Sequence, residues 1–412
     1  MVSQSHLLLC LYLLTLCDSQ KQIVPLHETL HHGLTERIGN FSLELLYHTA
    51  QSQPKGTNLI ISPITVWTVL AVIAEGASEK TLTQINRSIR ITAKTRATIR
   101  KDYQNIIEWL KVNTTTVELQ KFNALFVEEL SYPLIDFQKA AKEYDTRMIA
   151  VNFTEPEKTS KLINTLISTV THNRIPEIID SSAVENSNLV LLSAMYFKGQ
   201  WTVPFKASLT KQEPFFDSNG NRLGYVNMMY NRFTYPFANI EALQARVLEI
   251  PYGQYNRLSL LVMLPHPGVT LNQMFYNLGN ISLDTVFNEL KISKEDYGDD
   301  EVDCYLPRFK IQTNLSLKDS LMKMGISDLF DPRKARLPHM TRFPVYVSRI
   351  IHKAEIEVTE EGTTASAVTS SEFANRISTM KFEVNRPFCY LIIEKVTNTV
   401  AFGGFYNTPS LF

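Results

Sequence analysis

The chain has 412 residues, and its 41 Lys+Arg balance 41 Asp+Glu, so no bulk charge draws it to nucleic acid or to an anionic membrane surface. At 44% apolar residues with 15 Gly and 18 Pro, it can build a sizeable core and is neither disordered nor collagen-like. Leu7–Leu16 is an uncharged apolar run, shorter than the ~20 residues of a bilayer span, and Cys17, Asp18 and Ser19 follow it. Residues 1–19 read as a secretory signal, although no Lys or Arg precedes the apolar run. No later run is long and apolar enough for a membrane span, so neither a membrane nor a nucleic-acid partner is expected. Residues 20–34 read as a polar extension. Within them, His27, Glu28 and His31 match HExxH, two imidazoles one helical turn apart with a carboxylate between, as in zinc peptidases. The extended form of that motif fails because Leu34 stands where a glycine is required. No metal or other cofactor is assigned.

Neither an internal repeat nor a Gly/Ser/Pro linker interrupts residues 35–412, which reads as one domain and a monomer. From Thr35 to Ala50, Ile38, Phe41, Leu45, Leu46 and Thr49 form one helical stripe. Ser62-Pro63 opens a second helix, with Ser as cap and Pro in the first turn, and Val66, Val69, Leu70 and Ile73 face inward until Gly76. Arg87, Arg90, Lys94, Arg96, Arg100 and Lys101 then make a basic run with no acid inside it. It reads either as a solvated helix entry or as a contact for a glycosaminoglycan or similar polyanion. Asn188–Phe197 is almost continuously apolar, as in a strand buried on both faces. Asp217–Gly220 is a tight hairpin turn, and Leu258–Leu264, Val345–Val358, Pro387–Glu394 and Thr399–Tyr406 are strand-like. Helices crowd the first half and strands the second, an α+β pattern with large mixed or antiparallel sheets.

Two features depend on the compartment. Cys10 and Cys17 leave with the signal, and Cys304 and Cys389 are too few for a disulfide framework; two buried free thiols are favoured over a pair. Sequons stand at Asn40, Asn86, Asn113, Asn152, Asn280 and Asn314, of which Asn113, in a polar stretch between a helix and a strand, is the best glycan acceptor.

Thr359–Lys381 breaks the pattern. It is long, small and polar, lies between two strand regions, and contains no proline, so every peptide unit in it can join a ladder. Alternate side chains Thr363, Ala365, Ala367, Thr369 and Ser371 are small and uncharged, and the other set holds Glu372. That segment and its surroundings closely resemble the serpin family of serine protease inhibitors. NLIISPITVWTVL with GASEKTLTQI, SAMYFKGQWTVPF, VLEIPYG with LSLLVMLP, YLPRFKI with LMKMGISDLF, HKAEIEVTEEGTTASAVT and FEVNRPFCYLIIEKVTNTVAFGGF recur in family order. Gly404-Phe405 departs slightly, since the family usually has a basic residue after the penultimate glycine, Gly403 here.

The resemblance implies a serpin fold of three β-sheets and eight or nine helices, with residues 359–381 as an exposed reactive-centre loop. It implies a protease inhibitor and not an enzyme: a serine protease cleaves the loop, an acyl-enzyme forms, and the freed loop enters the main sheet as a new strand. The hinge would be Glu360, Glu361, Gly362, Thr363, Thr364, Ala365, Ser366 and Ala367. Insertion from Thr363 would bury the small alternate set, which favours an inhibitor over the alternative of a non-inhibitory carrier or chaperone. In the region where the sheet opens, the resemblance places Ser62, Thr65 (usually serine), Ser193 (usually asparagine), Trp201 and His352. Family spacing, fourteen residues past Gly362 and eleven before Pro387, puts the scissile bond at Arg376–Ile377 by both counts, with Lys381 as runner-up. Arg376 implies a trypsin-like target, since a guanidinium suits a pocket with a carboxylate at its base. Arg-Ile also resembles the junction cut on zymogen activation. The expected setting is therefore an extracellular protease cascade, as for arthropod serpins of similar overall pattern, with a general trypsin as the alternative.

Overall fold

A computed structural model describes residues 33–92, 96–298, 300–361 and 380–412. The signal, the extension up to residue 32 with its His27–His31 match, Lys94, and the loop residues 362–379, including the hinge from Gly362 to Ala367 and the Arg376–Ile377 bond, lie outside the described residues.

The first half is built from α1 (Gly33–Ala50), β1 (Leu59–Ile61), α2 (Pro63–Gly76), α3 (Glu79–Ser88), α4 (Arg96–Leu110), β2 (Val117–Glu128), α5 (Ile135–Glu143), β3 (Arg147–Val151) and α6 (Pro156–Val170). The α1 stripe is buried as its spacing requires. Pro63 occupies the first turn of α2, but Glu75 alone escapes burial there, so α2 is a core helix with no solvent face. Ser62 stands at the cap position without capping: its hydroxyl donates instead to Met195 Sδ.

The second half contains β4 (Leu189–Gly199), β5 (Lys211–Phe216), β6 (Arg222–Phe233), β7 (Phe237–Ile240), β8 (Ala245–Tyr252), β9 (Leu258–Pro265), α7 (Leu271–Leu278), α8 (Leu283–Tyr297), β10 (Val302–Pro307), β11 (Phe309–Ser316), α9 (Lys318–Lys323), β12 (Arg349–Val358), β13 (Met380–Glu383), β14 (Phe388–Glu394) and β15 (Thr399–Tyr406). In the β5–β6 turn the Asp217 carboxylate accepts the amides of Asn219 and Asn221, and Gly220 takes φ +83°, a left-handed conformation that suits glycine. β12 begins four residues later than the alternation from Val345 implies. Val345 and Val347 are buried, but β4 starts only at Leu189, so the Ser348 amide meets the Leu189 carbonyl and no ladder partner lies beyond it. At the other end, Met380 and Lys381 belong to β13 and not to the loop.

Three sheets result, with orders β1-β15-β14-β9-β8-β7, β13-β10-β6-β5 and β11-β12-β4-β2-β3. In the five-stranded sheet, β12 and β4 are parallel neighbours from Arg349↔Val190 to Ile356↔Phe197. This sheet divides the core. One face (Leu125, Leu191, Met195, Ile350, Ile356) joins the main cluster with α2. The other (Phe122, Phe126, Val190, Leu192, Ile351) packs on Ile163 and Ile167 of α6. The β4 run is apolar on both sides because both sides are covered. In β15, a Cβ on Gly404 would fall 2.2 Å from the Leu59 carbonyl, so only glycine lets β1 approach. The next residue, Phe405, packs edge-on against Phe275 at 5.0 Å.

Candidate functional site

Halfway along the β12–β4 seam, Leu315, His352, Ser193 and Asn123 occupy one row across β11, β12, β4 and β2. The Ser62 backbone N–H at the start of α2 donates to His352 Nε2 at 2.8 Å. The ring proton therefore sits on Nδ1, which donates to Ser193 Oγ, also at 2.8 Å. His352 is fully buried, and burial pushes its pKa down to about 3 despite the Ser193 hydrogen bond, so the ring is neutral at any physiological pH. Thr65 is one step removed: its hydroxyl donates to the Ser62 carbonyl at 2.9 Å. Asn123 is the residue that sequence reasoning missed. It is 3% exposed, and neither its Oδ1 nor its Nδ2 has a partner among the described residues. A lone asparagine inside the apolar run FNALF is the signal that could have found it.

Past Gly199, where β4 ends six residues or about 20 Å from Ser193, Trp201 forms a second site. Its ring stacks on Tyr252 at 4.3 Å, and its Nε1–H donates to the Thr359 carbonyl at 2.7 Å, just where β12 passes into the loop. Glu360 follows. One carboxylate oxygen accepts from Thr210 Oγ1 at 2.7 Å and the other from Arg308 Nη1 at 3.4 Å. Burial alone would raise the Glu360 carboxyl; the Thr210 hydrogen bond and the Arg308 charge outweigh it and hold it below the usual carboxylate range. Glu361, the last described residue before the loop, is exposed. The structure thus brings Ser62, Ser193 and His352 together, with Thr65 behind them, and sets Trp201 and Glu360 apart. Thr210 and Arg308, distant in sequence, had no local signature.

The remaining candidates differ in setting. The basic run is acid-free only along the chain: Arg90 pairs with Glu44 at 3.1 Å, and Arg100 with Glu75 and Glu143 at 2.8 and 3.0 Å, while Arg87 and Lys101 are exposed. Lys381, the alternative cleavage position, is held in β13, paired with Glu383 at 2.7 Å and 4.7 Å from the Tyr305 ring centre. Among the sequons, Asn113, Asn280 and Asn314 are exposed. Asn314 Nδ2 donates to the Ile178 carbonyl at 3.0 Å and Asn152 Nδ2 to Glu155 at 3.3 Å. Asn40 and Asn86 lie in α1 and α3, and Asn86 Oδ1 is buried. Cys304 and Cys389 are buried and unpaired, and burial pushes both thiols well up.

A seam of two parallel strands, one of which runs into the exceptional loop, is the layout implied by the resemblance. The family model for serine protease inhibitors of the serpin type matches residues 36–409. The chain is a serpin. It is 32% identical to the leukocyte elastase inhibitor of Xenopus tropicalis over 92% of this chain and all of that protein. It is 30% identical to human serpin B9 over 91% and 99%. Among solved structures, native protease nexin-1 with heparin aligns at TM-score 0.79 and 26% identity, covering 91% of this chain and 99% of that one. Serpin-12 of Manduca sexta aligns at 0.78 and 23%, covering 90% and 98%, and shows the same fold. This serpin is a protease inhibitor and not an enzyme.

Proposed function

We propose that this serpin is secreted and inhibits a trypsin-like serine protease as a suicide substrate, cleaved at Arg376–Ile377 and completed by insertion of the loop between β12 and β4. The observation that carries the reading is the parallel β12–β4 seam with β12 leading directly into the loop. A segment that turns back after Val358 and enters the seam runs antiparallel to both neighbours, and antiparallel ladders are the more stable per residue. Its inward side chains, from Thr363, are small and uncharged. Elastase appears in the name of a relative, but the residue offered to the protease decides specificity, and here it is an arginine with isoleucine after it. Ile377 supports mimicry of a zymogen-activation junction, and so an upstream protease of an extracellular cascade.

Incubation with trypsin tests this. An SDS-stable complex is expected, together with a released fragment that begins at Ile377. A fragment beginning at Phe382 would move the site to Lys381, and cleavage without complex would favour the carrier alternative. Thr363→Arg should be cleaved at the same bond and form no complex, because an unpaired guanidinium cannot enter the seam. Full complex yield from that variant would show that the inward register is wrong. Ile377→Ser should slow association with a zymogen-activating protease more than with trypsin; equal effects would remove the cascade reading.

A further inference from the structure

The segment that follows β15 returns to the base of the loop. The Ser410 amide donates to the Tyr406 hydroxyl at 3.0 Å. Pro409 lies over Gly224 of β6 so closely that a Cβ there would fall 2.9 Å from its ring. Phe412 ends beside Arg308. Its carbonyl oxygen accepts from Arg308 Nε and from Asn227 Nδ2 at 2.9 Å, and its ring centre is 5.5 Å from the guanidinium carbon. Asn227 also fixes the Arg308 backbone, whose amide donates to the Asn227 carbonyl at 2.8 Å.

These contacts bear on Glu360. A guanidinium is a rigid planar fork. Once Nε is committed to Phe412 and one face to the Phe412 ring, rotation about the last side-chain bond is fixed, and Nη1 points at the Glu360 carboxylate. The Arg308 side chain is 34% exposed and that of Glu360 11%. Without the Phe412 contacts the guanidinium would have solvent to turn into, and an ion pair at that depth holds only when side-chain entropy has already been given up.

We propose that Phe412 is a positioning residue for inhibition: it holds Arg308 against Glu360 and so keeps the base of the loop closed until a protease cuts it. The consequence for inhibition rests on the insertion reading above; the clasp itself does not. With the Phe412 ring lost, the guanidinium keeps only the main-chain carbonyl as an anchor, the Arg308–Glu360 pair loosens, the end of β12 and Thr359–Glu360 open more often, and the uncleaved loop enters the seam without a protease.

The test uses the full chain and the variants Phe412→Ala, Phe412→Tyr, Glu360→Gln and the Phe412→Ala/Glu360→Gln double. Amide hydrogen exchange at Glu357–Glu360 reads the clasp directly and needs no inhibitory activity. Phe412→Ala, which removes the ring over the guanidinium and leaves the carbonyl, should speed exchange there about five-fold, the effect of about one cation–π contact, and Phe412→Tyr should restore it. The double variant should exchange no faster than Glu360→Gln alone, because Phe412 acts through that pair. Gly224→Ala, which displaces Pro409 without touching Arg308, should reproduce part of the effect. Unchanged exchange in Phe412→Ala, or a full additive effect in the double variant, would overturn the proposal. A second readout is the half-life of trypsin-complexing activity on storage, which should shorten by a similar factor. Wild-type protein that forms no complex would refute the inhibitory reading while the exchange result still decides the clasp.

Discussion

Two points at which β12 is fastened use opposite chemistry. Midway, a fully buried and neutral His352 is held by the Ser62 amide and the Ser193 hydroxyl. At the loop end, an ionised Glu360 is held by Thr210 and Arg308 where the guanidinium still reaches water. Depth explains the difference. A strand entering the seam must part whatever fastens it. A charge bared in the middle of a core carries several kcal/mol of desolvation, whereas a neutral hydrogen-bonded ring carries about one to three. Near the surface, water solvates a parted ion pair, so charge can be used there without blocking the opening.

Acid should distinguish the two fastenings most strongly. Unfolded, His352 titrates near its ordinary 6.5; folded, near 3. Above pH 6.5 the ring is neutral in both states and stability does not depend on it. Below that, the unfolded chain takes up a proton that the folded chain refuses, so stability falls by about 1.4 kcal/mol per pH unit, roughly 2–3 kcal/mol by pH 4.5. Glu360, whose folded carboxyl lies below the usual range, contributes stability that is present above 4.5 and is lost only as pH falls further. Urea unfolding at a series of pH values should show this slope between pH 6.5 and 4.5, and His352→Gln should flatten it. His48, also lowered by burial, is common to both proteins and drops out of the difference. An equal slope in both would mean that the mid-seam ring is not what acid attacks.

The loop end should respond to a smaller cut. Trp201→Phe keeps an aromatic ring to stack on Tyr252 and removes the Nε1 donor to the Thr359 carbonyl together with part of the buried ring volume. A loss of about 1–2 kcal/mol is expected, with thermal unfolding as the measure and hydrogen exchange at Thr359 raised. A variant as stable as wild type would show that the stack alone positions Trp201.

The frame of this contrast was legible in the sequence, and its partners were not. Six blocks in family order, the buried run at Leu189–Phe197 and the proline-free loop placed β4 and β12. His352, Ser62 and Ser193 could be named singly, but that they touch depends on a register spanning 290 positions in the Ser62–His352 case. Thr210, Arg308 and Phe412 carry no local pattern; they meet Glu360 because β5, β10 and the segment after β15 converge on one end of the fold. The same limit hid the partners of the basic run, whose acids arrive from α1, α2 and α5. Val345–Ser348 failed for another reason: alternation records which side is buried, while a strand also needs a neighbour to bond.

Asn123 supports the smallest prediction and tests the logic of the mid-seam site. Its side chain brings a buried carbonyl and a buried amide with no partner beside Ser193, and unsatisfied buried groups of this kind cost about 1–3 kcal/mol each. Directly opposed residues on antiparallel strands hold their Cβ atoms about 5 Å apart, a gap that serine is too short to bridge. Ser193→Asn supplies the residue that the family resemblance implies there. Its carbonyl can still accept from His352 Nδ1 while its amide reaches the Asn123 oxygen. A gain of about 1 kcal/mol is expected, read as a higher unfolding midpoint, together with slower entry of the loop and more inhibitor consumed per protease trapped. The two effects must travel together, because the bond that stabilises the closed seam is one the entering strand has to part. A variant that is more stable yet traps protease as efficiently as wild type would show that the His352 row is a structural fastening only, and that insertion is limited at the loop end.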